Sequence, residues 1–265
     1  HMAHTGSTLL ARALDRPGKN LVIREPATLR ALGVEAGASH KGSPAWNEQL
    51  NLSLRILDRR YAPDEAVIVK ANVPVNAIIP DLLAASAPPK AILLHFGLED
   101  YLTAILRSAN HRKWVEHIFA EMRLGESAEN MDSLSTAEKA AALWLFQIGI
   151  YAEILAANPD IRSLDANILF DEPRASLLAA GNYFDCPMDS DEATRIVSGE
   201  LFSTYSKNPA ARFDNSDRKA RVAESRAALL DEMKIARSWA DTRLTTASLP
   251  QRLAQPLCGE NSVLF

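Results

Sequence analysis

Cysteine is scarce in this chain of 265 residues. Cys186 and Cys258 have neither the spacing of a metal site nor that of a disulfide framework, which suits a reducing, cytoplasmic setting. An excess of one charge is missing too, the formal net charge being −4. Bulk composition thus gives no reason to expect nucleic acid or an anionic membrane as partner, and any anion site must be local. No apolar run approaches the ~18 residues of a membrane span. No signal peptide is visible, and there is neither an internal repeat nor a low-complexity tract. What is present is 47% hydrophobic residues in a length that supports a sizeable core, read most simply as one domain over residues 1–265.

Short apolar runs alternate with helical patterns through roughly the first 110 residues. Leu9–Leu14 reads as helix, and Leu21–Ile23 as a buried strand that Pro26 ends just after Arg24 and Glu25. Ala45–Tyr61 reads as an amphipathic helix and Ala66–Lys70 as a second strand. Asn76–Ser86 is a helix broken by Pro88 and Pro89, and Lys90–His95 is a third strand followed by helix from Leu98 into Asn110. This alternation predicts an α/β fold, a parallel sheet flanked by helices. Beyond residue 111 the pattern is helix-rich: Trp114–Met122, Thr136–Asn158, Pro173–Asn182 and, after a polar stretch from Ser203 to Asn215, a charged helix from about Asp217 to Thr242. Ile161–Leu164 is the one later strand candidate. A sheet of this kind has a central strand feeding its first loop, yet only His1 and Met2 precede Ala3; either that strand is nearly absent or, as we expect, residues upstream of His1 supply it.

The opening stretch, Ala3-His4-Thr5-Gly6-Ser7-Thr8-Leu9-Leu10, runs straight into the first helix. Gly6 lets the backbone approach an anion closely. The amides from Gly6 to Leu9 open a helix N-terminus, where N–H groups and the dipole favour negative charge. Thr5, Ser7 and Thr8 add hydroxyl donors. An ordinary Ser/Thr helix cap carries the same signature. As a nucleoside triphosphatase signature the stretch fails, because Ser7 stands where Gly-Lys-Ser/Thr demands lysine.

With His4 two places before Gly6, the stretch resembles the phosphosulfate loop of bacterial sulfotransferases, Arg-Ser/Thr-Gly-Ser-Thr-Leu-Leu, in which a basic residue precedes the glycine. The resemblance extends to the order of elements over roughly the first 110 residues. It implies a P-loop NTPase-like sheet and 3′-phosphoadenylyl sulfate (PAPS) as sulfuryl donor. Glu25 falls where several sulfotransferases carry a glutamate base. Chemistry agrees, since a hydroxyl attacking sulfur needs a carboxylate within hydrogen-bond reach; a surface pair with Arg24 or Arg30 is the plainer alternative. Lys70 matches a lysine that some sulfotransferases hold beside the donor's bridging oxygen. It ends a strand, where ligands bind in open parallel sheets, and a cation there stabilises charge on a leaving phosphate. A lysine simply emerging from the sheet reads the same.

The third segment departs from the resemblance. The family's Arg-x-Pro-x-x-x-x-x-Ser, whose Arg and Ser hold the donor's 3′-phosphate, is replaced by Phe96-Gly-Leu-Glu-Asp-Tyr-Leu-Thr-Ala104. Thr103 lies one position early; Arg107 and Ser108, with Arg112 and Lys113 after them, are the substitutes. Lys207, with Arg212, Arg218 and Lys219 beyond, stands in a late basic stretch like the loop with which these enzymes close the nucleotide site. His111 and His117 lack the spacing of a helical metal pair; Trp114, Trp144 and Phe146 read as core; His40 and Trp46 are candidates to line an acceptor pocket. The expectation is therefore a cytoplasmic sulfotransferase with Glu25 as base and His4 and Lys70 as stabilisers. Thr5, Gly6, Ser7, Thr8, Leu9, Arg107, Ser108 and Lys207 would hold the donor, with no metal, nucleic acid or membrane involved. The alternatives are a P-loop phosphotransferase using Mg-ATP and a sulfotransferase-like binding protein without activity.

Overall fold

The first helix begins at a glycine. Gly6 takes φ 78° and hands over to α1 (Ser7–Leu14), whose Leu10, Ala11, Ala13 and Leu14 are buried. The computed structural model describes residues 1–37, 40–62, 65–86, 88–124, 133–205, 208–212, 214–244 and 249–265. After α1 the chain forms β1 (Asn20–Arg24), α2 (Ala27–Gly37), α3 (Pro44–Leu57) and β2 (Ala66–Lys70). β1 and β2 pair in parallel, Leu21 opposite Val67 and Arg24 opposite Lys70. The apolar runs thus become strands close to their expected bounds.

The helix α2 was not apparent in the pattern, and α3 ends at Leu57 rather than Tyr61. Ser43 caps α3, its hydroxyl accepting the Trp46 N–H at 3.2 Å. Leu50 and Leu57 are buried, but Leu52 and Ile56 are 54% and 53% exposed, because the apolar residues of α3 fall on more than one face. Leu29, Leu32, Trp46 and Leu50 form a small second core with Val75 and Ile78. There α2 approaches the next segment so closely that a Cβ on Gly33 would lie 2.5 Å from Pro74 O. That segment is a 3₁₀ turn, Val73–Ile78, continued by α4 (Ile79–Ala84), in place of the continuous helix expected over Asn76–Ser86.

β3 (Ile92–His95) leads into α5 (Leu98–Leu106) and α6 (Ala109–Glu121), then α7 (Thr136–Ala157) and β4 (Arg162–Asp165). Ser108 interrupts the single helix expected from Leu98 to Asn110 and caps α6, accepting the His111 N–H at 3.3 Å. α7 starts at a capping box of Ser135 and Glu138 and carries Trp144 and Tyr151 through the main core. Contrary to the expectation that no apolar run approaches a membrane span, its 22 residues are long and apolar enough to cross a membrane by length and composition; 56% of its most apolar window is buried inside the protein. β3 and β4 pair in parallel with His95 opposite Asp165. His1–Ala3 lies beside β3, Met2 N–H donating to Leu94 O at 3.0 Å, while Asn76, beyond β2, donates to His1 O at 3.4 Å.

The rest is mostly helical: α8 (Ala166–Asp171), α9 (Pro173–Tyr183), α10 (Ser190–Ser198), α11 (Glu200–Ser203), an antiparallel hairpin of β5 (Thr204–Tyr205) and β6 (Asn208–Arg212), α12 (Asn215–Ala228) and α13 (Leu230–Leu244). The charged helix expected from Asp217 to Thr242 is two helices. They part at Leu229, which leaves helical geometry to bury its side chain in the core. The closing segment also has a structural role: Ser163 of β4 exchanges backbone hydrogen bonds with Gln255 and Leu257, and Leu98 N–H donates to Leu264 O at 2.7 Å. The whole is a helix-rich α/β protein with small parallel sheets.

Candidate functional site

The loop before α1 turns twice through the left-handed region, at His4 (φ 63°) and at Gly6 (φ 78°). A side chain at Gly6 is disfavoured twice over, by that φ and by Phe170, whose Cζ would sit 2.8 Å from a Cβ. No side chain caps α1, so its first turn presents backbone amides rather than a Ser/Thr cap. Thr5 turns inward, fully buried, its hydroxyl donating to Met2 O at 2.8 Å. Gly6, Ser7, Thr8 and Leu9 line a cleft of about 730 Å³.

Two strand ends deliver charge to the same cleft. Arg24 pairs opposite Lys70, so the next residue, Glu25, stands beside the lysine. Glu25 N–H donates to Lys70 O at 2.7 Å, and Lys70 Nζ donates to Glu25 Oε1 in an ion pair. The Lys70 side chain is 7% exposed and that of Glu25 49%. Glu25 also sits at φ 52°, a conformation that costs a non-glycine residue on the order of 1–3 kcal/mol and is held by its surroundings. Neither Arg24 nor Arg30 takes the Glu25 carboxylate. Arg30 pairs with Glu121 at 2.6 Å instead.

A third wall is α6. Asn110, His111, Trp114, His117 and Ile118 line the cleft at helical spacing, one stripe of one helix. The His4 and His111 ring centroids are 3.9 Å apart, and His111 Nδ1 lies 3.1 Å from Ala104 O. Arg107 borders the cleft as expected, whereas Ser108 faces a separate groove of about 590 Å³ with Arg112 and Arg221. Arg112 is engaged there by both carboxylate oxygens of Glu232, at 2.5 and 2.8 Å. Thr103 is buried and donates to Glu99 O at 2.7 Å.

Of the fourth wall, only Arg218 is marked in the sequence, as part of the late basic stretch. Phe170 of α8 supports the Gly6 loop and carries the Arg218 guanidinium 4.3 Å above its ring. Burial pulls Arg218 below its ordinary proton affinity, with Asp171, Asp100 and Asp165 pulling the other way. Asp100 faces the cleft from α5, bound to Asn167 Nδ2 at 2.8 Å and to Arg226 at 2.7 Å. Lys219 pairs with Asp171 at 2.9 Å. Lys207 lies outside the described residues. His40 is exposed and does not line the cleft, and Trp46 is buried in the second core with its indole N–H on Leu32 O at 3.3 Å. Neither lines an acceptor pocket. Trp144 is core as expected, but Trp114 lines the cleft.

Within a chain of net charge −4, the cleft carries a slight excess of positive side chains. Arg30, Lys70, Arg107 and Arg218 face it against Glu25, Asp100 and Asp214, and four of the six histidines, His1, His4, His111 and His117, also line it. Fold and cleft together define a class: an α/β protein with a glycine-turned helix entrance, a carboxylate–ammonium pair at adjacent strand ends and a lining of mixed charge rich in basic and imidazole side chains. No family model, curated protein or solved structure matches the chain, so the class rests on geometry alone.

Proposed function

We propose that the cleft binds PAPS and passes its sulfuryl group to a hydroxyl or amine acceptor, on a sheet of P-loop type. The observation that carries this reading is convergence: the Gly6 loop, Glu25 and Lys70 border one cleft, although they come from three separate segments. The strand arrangement supports it. β1 and β2 run parallel and deliver Glu25 and Lys70 to the cleft that the Gly6 loop borders, and the segment before that loop lies beside β3, Met2 N–H donating to Leu94 O.

In this reading the donor's phosphosulfate rests on the amides that open α1, with His4 beside them. The acceptor oxygen forms a bond to sulfur as the bond from sulfur to the bridging oxygen breaks. Glu25 receives the acceptor's proton. The electron pair of the broken bond stays on the departing adenosine 3′,5′-bisphosphate, where Lys70 offsets its charge. One observation favours a second reading, a binding protein without turnover. Asp100, a carboxylate, faces the cleft from the very segment where the resembling enzymes hold the 3′-phosphate.

The test is which ligand stabilises the fold. At 100 times its dissociation constant a ligand adds about 2.7 kcal/mol, a rise in Tm of roughly 5–10 °C at this size. Adenosine 3′,5′-bisphosphate is expected to do this. A rise with Mg-ATP instead points to phosphotransfer, and no rise with either removes the nucleotide site. Transfer of label from PAPS to an acceptor then separates the enzyme from the binding protein.

A further inference from the structure

Lys70 and Glu25 hold each other side by side at the edge of the cleft, yet they are buried very unequally, 7% against 49%. That asymmetry decides which partner can be released. An ammonium taken out of water needs a counter-anion, because leaving it unpaired costs several kcal/mol. A half-exposed carboxylate returns to water at little cost. Glu25 is therefore a replaceable counter-ion, and whatever replaces it must be an anion.

The backbone arranges the exchange. The Glu25 N–H bond to Lys70 O and the left-handed turn at Glu25 hold the carboxylate at the lysine, and both residues border the cleft with the amide-lined entrance of α1. The carboxylate and an arriving anion compete for one cation.

We infer that Lys70 is a shared cation, held by Glu25 until an anion on the Gly6 loop takes it over, so that Glu25 is released as a proton acceptor only when the anion site is filled. A carboxylate that loses its ammonium partner holds a proton more tightly. The catalytic half of this inference rests on the proposed sulfuryl transfer and makes binding ordered, donor before acceptor. The competition for Lys70 does not rest on it. Lys70 would thus couple the two substrates' sites in addition to offsetting charge on the leaving group.

The experiment is a double-mutant cycle read by calorimetry with two probes, inorganic pyrophosphate and adenosine 3′,5′-bisphosphate. Removing the competitor with Glu25→Gln tightens anion binding roughly 3- to 30-fold, the worth of a partly exposed charge pair. Lys70→Met weakens it about tenfold or more. In the Lys70→Met background, Glu25→Gln gives little further gain, because there is no shared cation left to free. An equal gain in both backgrounds means simple repulsion between Glu25 and the ligand and overturns the inference, as does unchanged or weaker binding by Glu25→Gln. Lys70→Gln serves as the second variant if the methionine form melts early. The expected cycle with pyrophosphate, without binding of the bisphosphate, keeps the shared cation and discards the nucleotide reading. Binding of the bisphosphate without the cycle does the reverse, and binding of neither probe discards both.

Discussion

On one side of the cleft, α1 presses four residues into the core while a parallel ladder fixes Glu25 against Lys70. On the other side, none of the α12 residues is fully buried, and the helix is held by charge: Arg226 on Asp100, and Lys219 and Arg218 on Asp171. The difference teaches where each wall's stability comes from. Backbone pairing and apolar burial are insensitive to salt, whereas partly exposed ion pairs contribute little each and weaken as salt rises. The loop wall is built to hold a fixed geometry. The α12 wall is docked onto the cleft mouth.

The comparison breaks most visibly in the core beneath each wall. Leu14→Ala, at a position 1% exposed on α1, should cost about 2–5 kcal/mol in denaturant unfolding. Val222→Ala on α12 should stay within about 0.5 kcal/mol. Similar costs for the two would mean that α12 is packed rather than docked. The next effect is at the loop: Gly6→Ala meets Phe170 and an unfavourable φ, so it should lose on the order of 1–3 kcal/mol and most of the anion affinity together. Normal pyrophosphate binding by that variant would free the loop from its role.

A third expectation concerns pH and lies under the cleft floor. His95 is fully buried. Burial pulls its pKa below the ordinary 6.5, with the Asp165 charge and hydrogen bonding to Asn261 and the Phe96 backbone opposing. The folded protein then binds this proton less readily than the unfolded chain. Its contribution to stability is complete above about 6.5 and declines as pH falls below that value toward the folded pKa. His95→Gln should flatten this slope in urea unfolding at several pH values; an unchanged slope would assign it to other groups. The smallest effect is the docking of α12. Going from about 0.1 to about 1 M salt should speed deuterium uptake in residues 215–228 by a few fold, the loss of roughly 0.2–1 kcal/mol per pair. Residues 7–14 should not respond.

The same division explains what the sequence disclosed. The four apolar strands were legible because each is a short run closed by turn chemistry. Glu25 and Lys70 stand out through the resemblance, and Lys70 also through its place at a strand's carboxyl end. α2 was not, since its apolar residues spread around the helix and Gly33 and Gly37 weaken the pattern. The break at Leu229 was hidden because a core leucine in a charged helix looks the same whether the helix continues or stops. Asn167 and Phe170 reach the cleft through tertiary placement of α8, and nothing local marks them, whereas Arg218 stands out in the sequence only as one charge of a late basic stretch. His111 and Trp114 did carry a signal, the stripe on α6. Neither metal-ligand spacing nor core packing brings out that shared face.

The most direct test of the account is a structure with adenosine 3′,5′-bisphosphate bound. The account predicts a phosphate against the backbone amides of residues 7–9, with Lys70 Nζ turned from Glu25 to that phosphate and the Glu25 carboxylate facing open solvent. A nucleotide bound elsewhere, or one on the loop with the Lys70–Glu25 pair still closed, would contradict it.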